Sequence, residues 1–144
     1  MKDHHEIIRT AVAIAPVAVG TTGTGQTGKI HDLSGYGGVE FVFAYGTITA
    51  TNATLLPIIK EGDVTGTMTS VADADLLGTE LLAGVAAATP RTSGVSKNVT
   101  KRIGYKGSKR YVQVAKLSST VTAGTLVSVT AVLHSPAIAP TPNP

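Results

Sequence analysis

Asp73 and Asp75, in Val71-Ala-Asp-Ala-Asp-Leu, are spaced to offer two oxygens to a hard cation, with Glu61, Asp63 or Glu80 available to add more. The run lacks the glycine and the terminal glutamate of a calcium loop, so a polar turn that caps its own backbone is the favoured reading and no metal site is expected. Gly23-Thr-Gly25-Gln-Thr-Gly28 matches the dinucleotide pattern G-x-G-x-x-G. A phosphate cradle needs a helix N-terminus directly behind that loop, whereas Lys29-Ile-His-Asp-Leu-Ser-Gly-Tyr-Gly-Gly breaks any helix and no βαβ repeat follows. No cofactor is therefore expected. His4 and His5 lie side by side near the N-terminus, and His31 and His134 have no assignable partner. No Gly-x-Ser-x-Gly elbow is present. Glu61 and Glu80, the carboxylates one would pair for glycoside hydrolysis, sit in turn-like segments without an aromatic sugar platform. An enzyme is not expected, and no catalytic residue is named.

Charge carries more information. Residues 1–80 hold nine acids against four bases, a net of −5, and residues 81–144 hold eight bases and no acid, a net of +8. Opposite fields in one small chain favour pairing, between the halves or with another molecule. Five bases, Lys101, Arg102, Lys106, Lys109 and Arg110, cluster about one predicted hairpin, interleaved with Tyr105 and Tyr111. Three readings follow: phosphate contact with base stacking, a solvated hairpin whose charges keep a sheet edge from aggregating, or a face that docks on acidic protein. Docking is preferred and nucleic acid is not expected. The contact surface is assigned to Arg102, Tyr105, Lys106, Lys109 and Arg110.

The elements that must position these residues are strands. The chain has 144 residues, enough for one domain with a real core. Its apolar residues are mostly Ala and Val, aromatics make up 4%, and 16 glycines with abundant Thr favour strands and turns over helices. The absence of Cys excludes a disulfide scaffold, a thiolate zinc site and a cysteine nucleophile. The expected fold is all-β, a compact antiparallel β-sandwich or barrel-like domain over residues 11–135. A flexible N-terminal arm (1–10) and a Pro-rich C-terminal tail (136–144) extend from it.

Along the chain, residues 7–19 predict an extended segment interrupted at Pro16, a residue tolerated at an edge or bulge. Residues 11–19 superficially match a signal-peptide core, but Asp3, Glu6 and Pro16 argue against it, and no run reaches the ~18 apolar residues of a membrane span. Residues 20–28 read as a Gly/Thr loop and 35–38 as a turn. Val39, Phe41, Phe43 and Tyr45 then alternate on one face of a strand. Residues 55–60 form another strand, placed at an edge by Pro57 and closed by Glu61-Gly-Asp63, and a short strand is expected near 68–71. Residues 72–88 should be loop with one short helical turn at most. Residues 99–105, 110–117 and 125–134 predict three consecutive strands, read as an antiparallel meander.

Several stretches in this order resemble small proteins encoded among the head genes of tailed bacteriophages and prophages. They are Gly35-Tyr-Gly-Gly-Val-Glu-Phe-Val-Phe, Gly46-Thr-Ile-Thr-Ala, Val71-Ala-Asp-Ala-Asp-Leu-Leu-Gly-Thr-Glu, Lys101-Arg-Ile-Gly-Tyr-Lys-Gly-Ser-Lys-Arg-Tyr-Val-Gln-Val and Val132-Leu-His-Ser-Pro. The resemblance implies a virion structural role, most like a capsid decoration or cement protein on the outside of the head. Its partner would be the major capsid protein and its form a homotrimer, made in the bacterial cytoplasm and resident on the virion. The alternatives are a head-tail joining or tail-tube subunit, or a carbohydrate- or nucleic-acid-binding β module.

Overall fold

Val39, Phe41, Phe43 and Tyr45 are all buried, and the strand they form is flanked on both sides. The computed structural model describes residues 4–19, 26–121 and 125–138. Its strands are β1 (Ile8–Val19), β2 (Gln26–Asp32), β3 (Tyr36–Tyr45), β4 (Ala53–Val64), β5 (Thr67–Ser70), β6 (Leu76–Leu77), β7 (Val85–Ala87), β8 (Val99–Tyr105), β9 (Tyr111–Ser119) and β10 (Thr125–Pro136), and its one α-helical turn is α1 (Glu80–Ala83). One sheet has the order β1-β10-β3-β8-β6, and the other β2-β9-β4-β5, with β7 also beside β4. Every pairing is antiparallel. Successive long strands alternate between the sheets, and early strands nest between late ones. This is the order of a jelly-roll sandwich, with β5 and β7 sharing one strand position beside β4.

The core fills the space between the sheets. Phe41, Phe43, Ile103, Val129 and Ala131 come from the first sheet; Leu55, Ile59, Val112 and Val114 come from the second. Alternation along each strand decides which side chains enter it. On β10, Val127, Val129, Ala131 and Leu133 are buried.

Pro16 and Pro57 both sit where a missing N–H is harmless, although β4, expected at an edge, is an interior strand between β9 and the pair β5 and β7. Pro16 falls in the register shift between Ile14 and Val17, on edge strand β1. Pro57 lies in the interval of β4 between the residues paired with β7 and those paired with β5. That interval is sealed by α1. Thr79 caps α1 by accepting the Leu82 N–H at 3.1 Å, and the Glu80 carboxylate accepts the Ile59 N–H at 2.6 Å, taking the place of a neighbouring strand.

Several sequence expectations are corrected. The three late strands exist, but they form no meander: β8 and β10 belong to the first sheet and β9 to the second. Residues 106–110 are long enough to cross the ~10 Å between packed sheets, so a short connection does not imply a hairpin. β2 occupies residues that read as loop and helix breaker; the G-x-G-x-x-G run delivers Gln26, Thr27 and Gly28 to this strand, and its residues 20–25 lie outside those described. A Cβ at Gly28 would stand 2.7 Å from the Val114 carbonyl and 2.8 Å from that of Ala13, so this glycine serves close backbone approach. β4 continues through Glu61-Gly-Asp63 to Val64, and the turn before β3 ends at Gly35, which has φ +83°. At the N-terminal boundary, β1 begins at Ile8, within the expected arm, because Ile8 pairs with His134. At the other boundary, β10 includes Pro136 and the Ala137 N–H reaches the Gly35 carbonyl; residues 1–3 and 139–144 lie outside those described.

Glu80→Ala leaves the buried Ile59 N–H without its acceptor and is expected to lower unfolding stability by about 1–3 kcal/mol, with Glu80→Gln recovering most of it. Denaturant titration of the three proteins checks this.

Candidate functional site

The connection between β8 and β9 lies at one end of the sandwich, beside the turns that join β2 to β3 and β4 to β5. Arg110 forms a two-pronged pair with Asp32 at the end of β2, with Nη2 to Oδ2 at 2.8 Å and Nε to Oδ1 at 3.0 Å. Its guanidinium also lies 5.0 Å from the centre of the Tyr111 ring. The hydrogen bonds from Arg110 hold the Asp32 carboxyl below its usual range, and Asp32 raises Arg110 in return. Lys109 Nζ reaches Asp63 at 2.6 Å, which raises the lysine above its ordinary value. Three connections distant in sequence are thus stitched together by charge.

Beneath them, Tyr105 is 1% exposed. Its hydroxyl donates to Glu61 Oε2 at 2.5 Å and accepts the Lys109 N–H at 3.0 Å. Burial first, and then the Glu61 hydrogen bond, push its ionisation upward. Tyr105 is therefore a buried strut that shapes the β8–β9 connection, and its assignment to the contact surface is corrected: β8 turns it inward in register with Val39.

Of the other assigned contact residues, Lys106, Lys109 and Arg110 are exposed within the connection, and Lys106 is fixed by its N–H donating to the Asp75 carbonyl at 2.9 Å. Arg102 lies apart from them on the outer face of the first sheet, 79% exposed, with Nε 3.6 Å from Glu40. Gly104 is in register with Glu40, and a Cβ there would stand 2.5 Å from the Glu40 carboxylate. The strong charge asymmetry is thus partly an internal complement, since three acids of the first half answer three bases of the second.

The remaining chemical candidates resolve as structure. Asp73 and Asp75 form a 3₁₀ turn closed by the Asp75 N–H to the Ala72 carbonyl, and Glu61, Asp63 and Glu80 each face a different partner. Among the described residues, no group of three or more His, Cys, Asp and Glu is placed to hold a metal, and no helix is long and apolar enough to cross a membrane. His134 lies over Gly38, with Nδ1 3.2 Å from the Ser135 hydroxyl.

The sequence reading missed two buried bases. Lys116, on the inward side of β9, is 1% exposed, its Nζ 4.1 Å from the centre of the Tyr45 ring and without a hydrogen-bond partner among the described residues. Burial depresses its ionisation to about 7. His31, on the inward side of β2, rests against Phe41 at 5.9 Å between ring centres, its Nε2 also unpartnered among the described residues. Burial, and then the nearby Lys29, lower it. The signal for Lys116 was present in the alternation Val112, Val114, Lys116, Ser118, but a lysine among eight bases reads as surface.

Against known proteins, no family model and no curated protein matches the chain. Several solved structures align with it. A chain from the structure of infectious bursal disease virus, Gx strain, aligns over 88% of this chain and 31% of its own length, at 10% identity and a TM-score of 0.51. A chain of the Bacillus endospore appendages aligns over 94% of this chain and 96% of its own, at 13% identity and a TM-score of 0.43. The CBM22-1 xylan-binding domain from Paenibacillus barcinonensis aligns over 91% and 83%, at 13% identity and a TM-score of 0.44. The class, an all-β sandwich, follows from the two packed antiparallel sheets, and at 10% identity the alignment with the virus chain bears on the fold alone.

Lys116→Met is expected to stabilise the protein. The folded value near 7 lies below the ordinary 10.5, so the unfolded chain binds the extra proton between them. The stability gained by the variant should therefore grow as pH falls from 10.5 towards 7, on the order of 1.4 kcal/mol per unit, and level off below 7. Paired denaturant titrations across that range check it; a constant difference between the two proteins would show that Lys116 titrates normally.

Proposed function

We propose that this domain is a non-enzymatic virion structural protein that binds the outside of a tailed-phage head as a decoration or cement protein, acting as a homotrimer on the major capsid protein. The observation that carries this reading is an exposed apolar face on the second sheet. Leu56 and Leu117 stand in register across β4 and β9 at 37% and 47% exposure, and Leu81 projects beside them at 78%. Leu56 and Leu81, with Thr54, Gly84 and Ala86, line a cleft of about 220 Å³. A contiguous apolar surface of this kind favours contact with protein.

The same geometry weighs against the rival binding modules. Lys109 and Arg110 are already closely paired with carboxylates, which weakens a polyanion site at the β8–β9 connection. Phe41, Phe43, Tyr45 and Tyr105 are buried, and Arg110 covers the Tyr111 ring, leaving little aromatic platform for a sugar. The sequence resemblance to phage head-region proteins and the fold shared with a chain of a virus particle support the virion setting.

Light scattering of the purified protein, with co-sedimentation on emptied phage heads at two salt concentrations, tests the reading. A trimer that sediments with heads is expected, retained in part at high salt because apolar contact is insensitive to screening. A monomer that ignores heads overturns it, and a large closed ring reassigns the protein to the connector or tail.

A further inference from the structure

β6 begins a strand position beside β8 that the chain does not complete. Leu76 and Leu77 pair with Tyr105 and Gly104; the chain then turns away at Gly78, which has φ +98°. No other strand lies on that side of β8 among the described residues. The phase of the ladder is fixed by the Lys106 N–H donating to the Asp75 carbonyl. In an antiparallel ladder the direction of backbone groups alternates, so even-numbered residues of β8 face away from β3. Gly104 is met by β6, while Thr100 and Arg102, both exposed, turn their N–H and C=O groups outward.

The side chains along this open stretch are strongly biased. Lys97, Lys101 and Arg102 are exposed, and among the described residues the one ion pair they make is Arg102 with Glu40, at 3.6 Å. Lys101 is unusual because it stands in register with buried Phe43, at a position whose parity points towards the core. An inward-pointing cation on an edge strand deters pairing with a second copy of the same edge. The other open edge of this sheet, β1, carries Arg9 in register with Leu133, so β1 meeting β8 would also bring like charges together. The cations that reject this chain's own edges would attract a strand bearing carboxylates.

We propose that the β8 edge at Thr100–Arg102 accepts an extended acidic segment of a partner protein, which continues the strand position begun by β6. Backbone hydrogen bonds to Thr100 and Arg102 supply the register, and carboxylates on the incoming strand meet Lys97, Lys101 and Arg102. This rests on the reading of the domain as one that docks on a protein shell and names the chemistry of the docking segment.

The test titrates the isotope-labelled full chain with an octapeptide of alternating Val and Glu. Its controls are the Val/Lys counterpart and two Val/Glu peptides N-methylated at alternate residues, one in each phase. The acidic peptide should shift the Thr100 and Arg102 amides and slow their hydrogen exchange, and the basic peptide should leave them unmoved. One of the N-methylated peptides should bind at least tenfold more weakly, because it lacks the donors that face the edge. Lys101→Glu combined with Arg102→Glu should exchange the preference to the basic peptide. Equal binding of both N-methylated peptides would reduce the site to charge alone and overturn strand addition, as would shifts centred elsewhere or no binding at millimolar peptide. Protein that sediments with phage heads yet ignores the peptides would overturn this edge while leaving docking on the shell intact.

Discussion

The long ladders of this domain join a strand from the first 64 residues to one from residue 99 onward: β1 to β10, β10 to β3, β3 to β8, β2 to β9 and β4 to β9. Neither half can assemble its share of the sandwich without the other. The loop-closure entropy of such distant contacts must be met before burial of the core offsets it, so folding is expected to be cooperative and slow for the chain's size. The same constraint explains the charge distribution. Because β2 and β4 flank β9, and β3 flanks β8, acids of the first half arrive beside bases of the second.

Exposed ion pairs of this kind are each worth about 0–1 kcal/mol, so they do not hold the sandwich together. Their contribution is to fix how the connections at one end lie against one another. Stability resides in the core along β3, where Val39, Phe41 and Phe43 are fully enclosed, and in the struts that tie the core to its margins. Tyr105 spans from β8 to Glu61 on β4, and Tyr45 donates to the Ala83 carbonyl of α1 at 2.9 Å. Within that core, Lys116 and His31 are liabilities, since each gives up hydration and its buried nitrogen gains no hydrogen bond from the described residues. Both lie on the inner face of the second sheet.

The surfaces left over differ in character. The outer face of the second sheet is apolar around Leu56 and Leu117, while the edge of β8 is basic and, beyond β6, has no strand paired with it among the described residues. A domain that binds through both presents two chemically distinct contacts in different directions. Repeated small contacts add up when many copies sit on one lattice.

Much of this was readable from residue order. Alternation at Val39–Phe41–Phe43–Tyr45 and along residues 125–134 identified buried strand faces, because the two-residue period of a strand is local geometry. Pro16, which has no N–H to donate, marked an edge or bulge, and residues 72–88 were legible as loop with room for one short helical turn. What sequence could not determine was which strands meet. β2 has little apolar alternation and becomes a strand because β9 offers it a ladder; β8, β9 and β10 follow one another closely yet never pair. Tyr105 looked like a surface aromatic among bases until the register with Val39 turned it inward, and Lys116 looked like one more surface charge until β9 carried it beneath Tyr45. Periodicity and composition are properties of neighbours in the chain, and they determined an all-β domain with its main strands. Pairing, burial of individual charges and the free edge of β8 depend on contacts between residues far apart in the chain, which only the closed sandwich brings together.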